Sequence, residues 1–94
     1  MTFNLAESSF IIGIGQATIR AHIDRDWITA YKVGGRWAIE QAELIDYAWA
    51  KWEEGLRMNR PESWQGRIDH IISRKRKPAG NTKRAAQAQR GGQK

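Results

Sequence analysis

Two adjacent glycines, Gly34 and Gly35, separate two short runs of strand-forming residues, and no other feature narrows the fold as much. Residues 28–33 read Ile-Thr-Ala-Tyr-Lys-Val, and residues 36–39 read Arg-Trp-Ala-Ile. A two-residue link between antiparallel strands is least strained as a type I′ turn, in which both central residues take positive φ. Glycine adopts that conformation at no steric cost. The two runs are therefore predicted to pair as a β-hairpin. Tyr31 and Val33 share one face of the first strand, and Trp37 and Ile39 share one face of the second.

Helices are predicted on both sides of the hairpin. Asn4 followed by Glu7 has the spacing of a capping box, with each side chain accepting from the other residue's amide. Leu5, Ser9 and Ile12 then fall on one helical face. Gly13 suits a left-handed stop, although propensity alone also allows residues 10–14 as a strand. Gly15-Gln16-Ala17-Thr18 opens a second helix, residues 16–25, in which Ile19 and Ile23 face inward and Gln16, Ala17, Arg20 and Asp24 face outward. Two short helices joined by Gly13-Ile14-Gly15 have helix-turn-helix proportions. Residues 40–54 are predicted as the clearest helix, with Ala42, Ile45, Trp49 and Trp52 as its apolar stripe, flanked by Leu44 and Ala48, Glu40 and Glu43 favourable near its positive end, and Gly55 as its stop. Pro61 and Glu62 begin a further helix carrying Trp64, Ile68, Ile71 and Ile72 on one side, which either lids helix 40–54 or forms a dimer contact.

Charge is unevenly distributed. Residues 1–66 carry seven Lys and Arg against nine Asp and Glu, whereas residues 67–94 carry nine against one. A near-neutral body with a cationic end points to a polyanionic partner, nucleic acid first and an anionic membrane surface second. Beyond Pro78 no large apolar residue occurs, so residues 78–94 are expected to be a disordered basic tail. That tail has no apolar face, which argues against membrane anchoring. Arg74, Lys75, Arg76 and Lys77 are candidate non-specific phosphate contacts through counterion release.

Other chemistries find little support. With no cysteine in the chain, neither a disulfide nor a thiolate metal site can form, which accords with a reducing cytoplasm. Residues 1–5 lack the basic start and long apolar stretch of a secretory leader, so none is expected. The longest apolar run, residues 10–15, is too short to span a bilayer. Ser8, Ser9, His22 and His70 show no nucleophile turn or oriented acid–base pair, and two histidines without cysteine make a poor metal set. No catalysis, cofactor or metal is therefore expected. The stretch Gly-Ile-Gly-Gln-Ala-Thr lacks the third glycine of a dinucleotide loop and follows a helix, not a strand. The spacing of Trp37, Trp49 and Trp52 predicts core packing, while Trp27 lies at the link between helix and hairpin.

The order helix, tight turn, helix, hairpin, helix over residues 3–48 resembles the excisionase-like, MerR-type winged helix family. The resemblance is carried by Ala30-Tyr31-Lys32-Val33-Gly34-Gly35-Arg36-Trp37, by Thr18-Ile19 opening the second helix, and by Gly13. Ser8-Ser9 stand where the family usually has two alanines, Asp26 where it has glycine, Thr29 where proline is common, and His22 at an often apolar position. The resemblance implies a recognition helix in the major groove and a wing at the adjacent minor groove or backbone. On this sequence Gln16, Ala17, Arg20 and Ala21 would face base edges, Thr18 would sit near a phosphate, and Arg25 would follow on the same helix. Lys32, Gly34, Gly35 and Arg36 would form the wing. Arg20 is suited to bidentate contact with guanine, and Gln16 with adenine. Arg36 suits a narrow electronegative groove, and the alternative is a pairing with Glu40.

The expected organisation is mainly α with a small hairpin wing: a winged helix-turn-helix domain over residues 1–55, an additional helix for packing or dimerisation over 56–77, and the tail. The expected function is sequence-specific binding of double-stranded DNA in the bacterial cytoplasm, as an excisionase acting with an integrase or recombinase and self-associating on DNA or as a homodimer. A small transcriptional regulator of the same fold is the second reading, and an adaptor recruiting proteins through residues 56–74 the third.

Overall fold

The computed structural model describes residues 1–75; Arg76, Lys77 and the tail expected over 78–94 lie outside the described residues. The chain is mostly helical with a small three-stranded antiparallel sheet. In chain order the elements are β1 (Thr2–Phe3), α1 (Leu5–Ile12), α2 (Gln16–Asp24), β2 (Tyr31–Val33), β3 (Arg36–Glu40), α3 (Gln41–Glu53), a 3₁₀ turn (Pro61–Ser63) and α4 (Trp64–Lys75).

Local chemistry explains the element ends. Asn4 Oδ1 accepts from the Glu7 amide at 2.8 Å and Glu7 Oε1 accepts from the Asn4 amide at 2.9 Å, closing the expected capping box. Gly13 ends α1 in the left-handed region at φ 78°. Gly55, at φ 87°, ends α3. There the Gly55 amide donates to the Trp52 carbonyl and the Leu56 amide to that of Lys51, each at 3.0 Å, the paired bonds of a Schellman stop. Gly34 and Gly35 turn the hairpin at φ 56° and 79°, as the type I′ expectation requires. Asp26 takes φ 59° just after α2; aspartate is among the few side chains that tolerate this conformation.

Several expectations are corrected. The first hairpin strand is shorter than residues 28–33, because Ile28 is buried in the core and only Tyr31–Val33 pairs with β3. A strand not foreseen, β1, pairs Thr2 with Glu40 and Phe3 with Ile39, so β3 is central in the order β1-β3-β2. The buried face of α1 is Ser8, Ile11 and Ile12, with Leu5 and Ser9 only half-buried. The buried face of α3 is Leu44, Tyr47 and Ala48, while Trp49 is 45% exposed and Ala42 is also exposed. This face is turned by about one residue, ~100°, from the predicted stripe. The helix starts directly from β3, so the sheet fixes its phase and the strongest apolar stripe does not. The helix expected over 16–25 ends at Asp24.

One core collects Phe3, Ile11, Ile12, Ile19, Ile23, Ile39, Leu44 and Ala48 together with Trp64, Ile68 and Ile71 of α4. The apolar side of α4 is thus spent inside the body, largely against α1. A clasp from the segment before α4 secures this arrangement. Asn59 donates its backbone amide to the Ile12 carbonyl at 2.8 Å and its Nδ2 to the carbonyls of Ile11 at 3.2 Å and Phe10 at 3.3 Å. Arg67 Nη1 adds a bond to the Phe10 carbonyl at 3.1 Å, and the Trp64 indole donates to the Asn59 carbonyl at 3.1 Å. Three otherwise orphaned carbonyls at the end of α1 are satisfied by residues far along the chain. A Cβ at Gly13 would lie 2.6 Å from Asn59 backbone and side-chain atoms, so this glycine is required twice, for its φ and for the close approach.

Asn59→Ala is expected to destabilise the protein by about 1–3 kcal/mol, the cost of leaving the partly buried Ile11 carbonyl without its donor. A urea melt in which the variant matches the parent midpoint would show that the clasp adds nothing to stability.

Candidate nucleic-acid interface

The exposed side of α2 and the hairpin lie side by side and carry Arg20, Lys32 and Arg36, with Asp24 next to Arg20 and Glu40 at the end of β3. Its rigidity begins with the burial of Ile19, His22 and Ile23 on the opposite side of α2. Gln16, Ala17, Thr18 and Arg20 are exposed and Ala21 is half-buried, so the expected outward residues do line one side of the helix. The amide end of α2 carries no side-chain cap. Arg25 lies past the last helical residue and not within the helix, with its guanidinium carbon 5.0 Å from the centre of the Trp27 ring.

The hairpin is joined to α2 through Trp37. This side chain occupies the core-facing side of β3, two residues before the fully buried Ile39. The Arg20 guanidinium lies 5.2 Å from the Trp37 ring centre, and Lys32 Nζ of β2 lies 4.9 Å from it. A cation from the helix and a cation from the hairpin therefore share one indole, which is negative over its face. Arg20 Nε also donates to Asp24 Oδ1 at 3.3 Å, one helical turn on. Gly34 and Gly35 have open space where a Cβ would stand, leaving backbone at the hairpin tip free for close approach. Arg36 is exposed beside that tip. Its alternative partner Glu40 instead accepts from the Tyr31 hydroxyl at 3.2 Å, and Arg36 forms no ion pair among the described residues.

The cations at the end of α4 sit elsewhere. Lys75 pairs with Glu7 Oε2 at 3.1 Å, and Arg74 lines an open groove between α1 and α4 floored by Ala6, Phe10 and Ile71. Neither residue joins the surface formed by α2 and the hairpin. Among the described residues no group of three or more His, Asp or Glu could hold a metal ion, and no helix is long and apolar enough to cross a membrane.

The seat of α2 depends on a polar contact that sequence reasoning did not find. Buried His22 meets the hydroxyl of buried Tyr47 on α3 through its Nδ1. Burial is the main cause that lowers the His22 pKa below its ordinary value, helped by the positive charges of Lys51 and Arg25 and opposed by Glu54. Burial, with Glu54, pushes the Tyr47 hydroxyl up to about 12. A neutral imidazole therefore faces a protonated phenol, and the one hydrogen bond between them joins two uncharged groups. Trp27, 51% exposed, covers the imidazole at 4.9 Å between ring centres and receives Lys51 Nζ at 4.6 Å. The polar pair spans 25 positions of sequence, which hides it from any local pattern.

Comparison with protein-family models, with curated proteins and with solved structures gives no match to this chain.

The folded state binds a proton at His22 less readily than the unfolded chain, whose imidazole titrates near 6.5. The stabilising effect of the neutral, buried ring is therefore present above about pH 6.5 and is lost as pH falls through the lower folded value. The thermal midpoint is expected to fall between about pH 7.5 and about pH 5.5, and to fall less in His22→Gln. Equal slopes in the two proteins would assign the pH dependence to other groups.

Proposed function

We propose that this chain binds duplex DNA as a winged helix-turn-helix protein, with α2 as the recognition helix and the β2–β3 hairpin as the wing. The observation that carries the reading is that Arg20 of α2 and Lys32 of the glycine-tipped hairpin meet on Trp37, which sets the two exposed elements side by side. A major groove admits one helix and displays a donor and acceptor code on its base edges. Gln16, Ala17 and Arg20 would meet those edges, Thr18 and Arg25 the flanking phosphates, and Lys32, Arg36 and the glycine backbone an adjacent groove or strand. Phosphate contacts set the register and base contacts the sequence preference. The role is binding without catalysis, and it accords with a nucleoid location in a bacterial cell.

A single recognition helix reads few base pairs, so useful specificity needs repeated or paired sites. An architectural factor for excision, acting beside an integrase or recombinase, fits that requirement and is the role proposed first; a small transcriptional regulator is second. Footprints on direct repeats at an attachment site would favour the first, and an operator overlapping a promoter the second. Recruitment of proteins through residues 56–74 loses its basis, because Trp64, Ile68 and Ile71 are buried in the core.

Fluorescence anisotropy with a labelled duplex library at low ionic strength tests the reading. Arg20→Ala is expected to lose about 1–3 kcal/mol of preference at one base pair; retention of the parent ratio of preferred to random DNA would remove its base-contact role. A chain ending at residue 75 lacks the cations Arg76, Lys77, Lys83, Arg84, Arg90 and Lys94. Its salt dependence should flatten by about 0.9 in log–log slope for each phosphate that those cations neutralise in the full chain. An unchanged slope would exclude the tail as a DNA anchor.

A further inference from the structure

We infer that Asp24 and Trp37 are positioning residues that restrict Arg20 to end-on recognition of guanine. The inference rests on the duplex-DNA reading above and adds to it the two residues that hold Arg20 and the edge of the guanidinium that reads the base.

A guanidinium offers two bidentate edges. The side edge uses Nε with one terminal nitrogen, and the end edge uses both terminal nitrogens. Asp24 Oδ1 accepts from Arg20 Nε at 3.3 Å, so the side edge is engaged within the protein. The two terminal nitrogens remain, and they are spaced to match the O6 and N7 acceptors of guanine in the major groove. The Trp37 ring, 5.2 Å from the guanidinium carbon, bounds the movement of the planar group, and Lys32 beside the same ring ties that boundary to the hairpin.

Stability does not account for the Asp24 contact. Both side chains are about half exposed, at 49% and 59%, where an ion pair one helical turn apart contributes little to folding. A carboxylate on the face presented to DNA also repels phosphate, which lowers affinity for duplexes of every sequence. Its position beside Arg20 is instead explained if it keeps that residue from a phosphate and leaves it for a neutral base edge. Asp24 then exchanges general affinity for discrimination.

The test uses the full chain. Selection from a random duplex library with the parent protein and with Arg20→Ala locates the base pair that Arg20 reads. The expected base is guanine, and 7-deazaguanine at that position should weaken parent binding. Asp24→Ala should reduce the preference for guanine over adenine there by about tenfold while strengthening binding to random duplex. Asp24→Asn should keep most of the preference, because its amide oxygen still accepts from Nε. Trp37→Leu should lose preference and Trp37→Phe retain it. An Asp24→Ala protein with unchanged base preference, whatever its overall affinity, overturns the inference and leaves the DNA reading standing. A base other than guanine at the Arg20 position does the same. A parent protein that binds no duplex at low ionic strength overturns both.

Discussion

The grip of Asn59 on the last carbonyls of α1 is the constraint from which the rest of the structure follows. The last carbonyls of a helix have no partner within it and must find donors elsewhere. Here they are met by an amide, a carboxamide and a guanidinium from the segment around α4. The contact holds α4 against α1, brings Trp64 into the core, and fixes where Gly13 stands. Gly13 in turn begins the turn into α2. The direction of the helix proposed to meet DNA is therefore set from its far side, by residues that never approach the proposed surface.

From that foundation α2 is held on two sides by different physics. Inward, Ile19 and Ile23 supply apolar burial, while His22 and Tyr47 supply a polar contact that costs free energy if mismatched. Outward, Arg20 and Trp37 connect the helix to the hairpin by a cation–π contact that is weak alone but lies between two otherwise separate elements. The inner contacts make the helix hard to displace. The outer one couples its angle to that of the hairpin, which is what two elements meeting neighbouring grooves of one duplex would need.

Much of the fold was legible because its signals were local. Asn4 and Glu7 lie three positions apart, Gly34-Gly35 need no partner to favour a turn, and Gly13 and Gly55 mark helix ends by their own backbone freedom. The exposed row of Gln16, Ala17 and Arg20 followed from the inward period of Ile19 and Ile23. The misses share a different origin. The α3 stripe of Ala42, Ile45, Trp49 and Trp52 has the larger side chains, and Ile45 and Trp52 do pack against the core, but the buried face is Leu44, Tyr47 and Ala48, two of which stand only at the flank of that stripe, because β3 delivers the chain in that phase. Thr2–Phe3 is too short for an alternating pattern, and its strand character comes wholly from β3. Asn59 and His22 act through partners tens of residues away, and nothing in their neighbours marks them. Asp24 was read as merely exposed, since its bond to Arg20 matters only beside Trp37.

The clasp also imposes an order of events on a chain made from its amino end. The ribosome releases α1, α2 and the hairpin while Asn59 and α4 are still inside its exit tunnel, so the first two helices emerge with the α1 carbonyls bare and one wall of the core missing. Contacts of such long separation form late, since much chain must be ordered before they repay it. The nascent segment should consequently stay loose and exchange its amide hydrogens freely until α4 arrives, at which point ordering is cooperative. The surface proposed to meet DNA is in this way kept from maturing until the whole body has been synthesised.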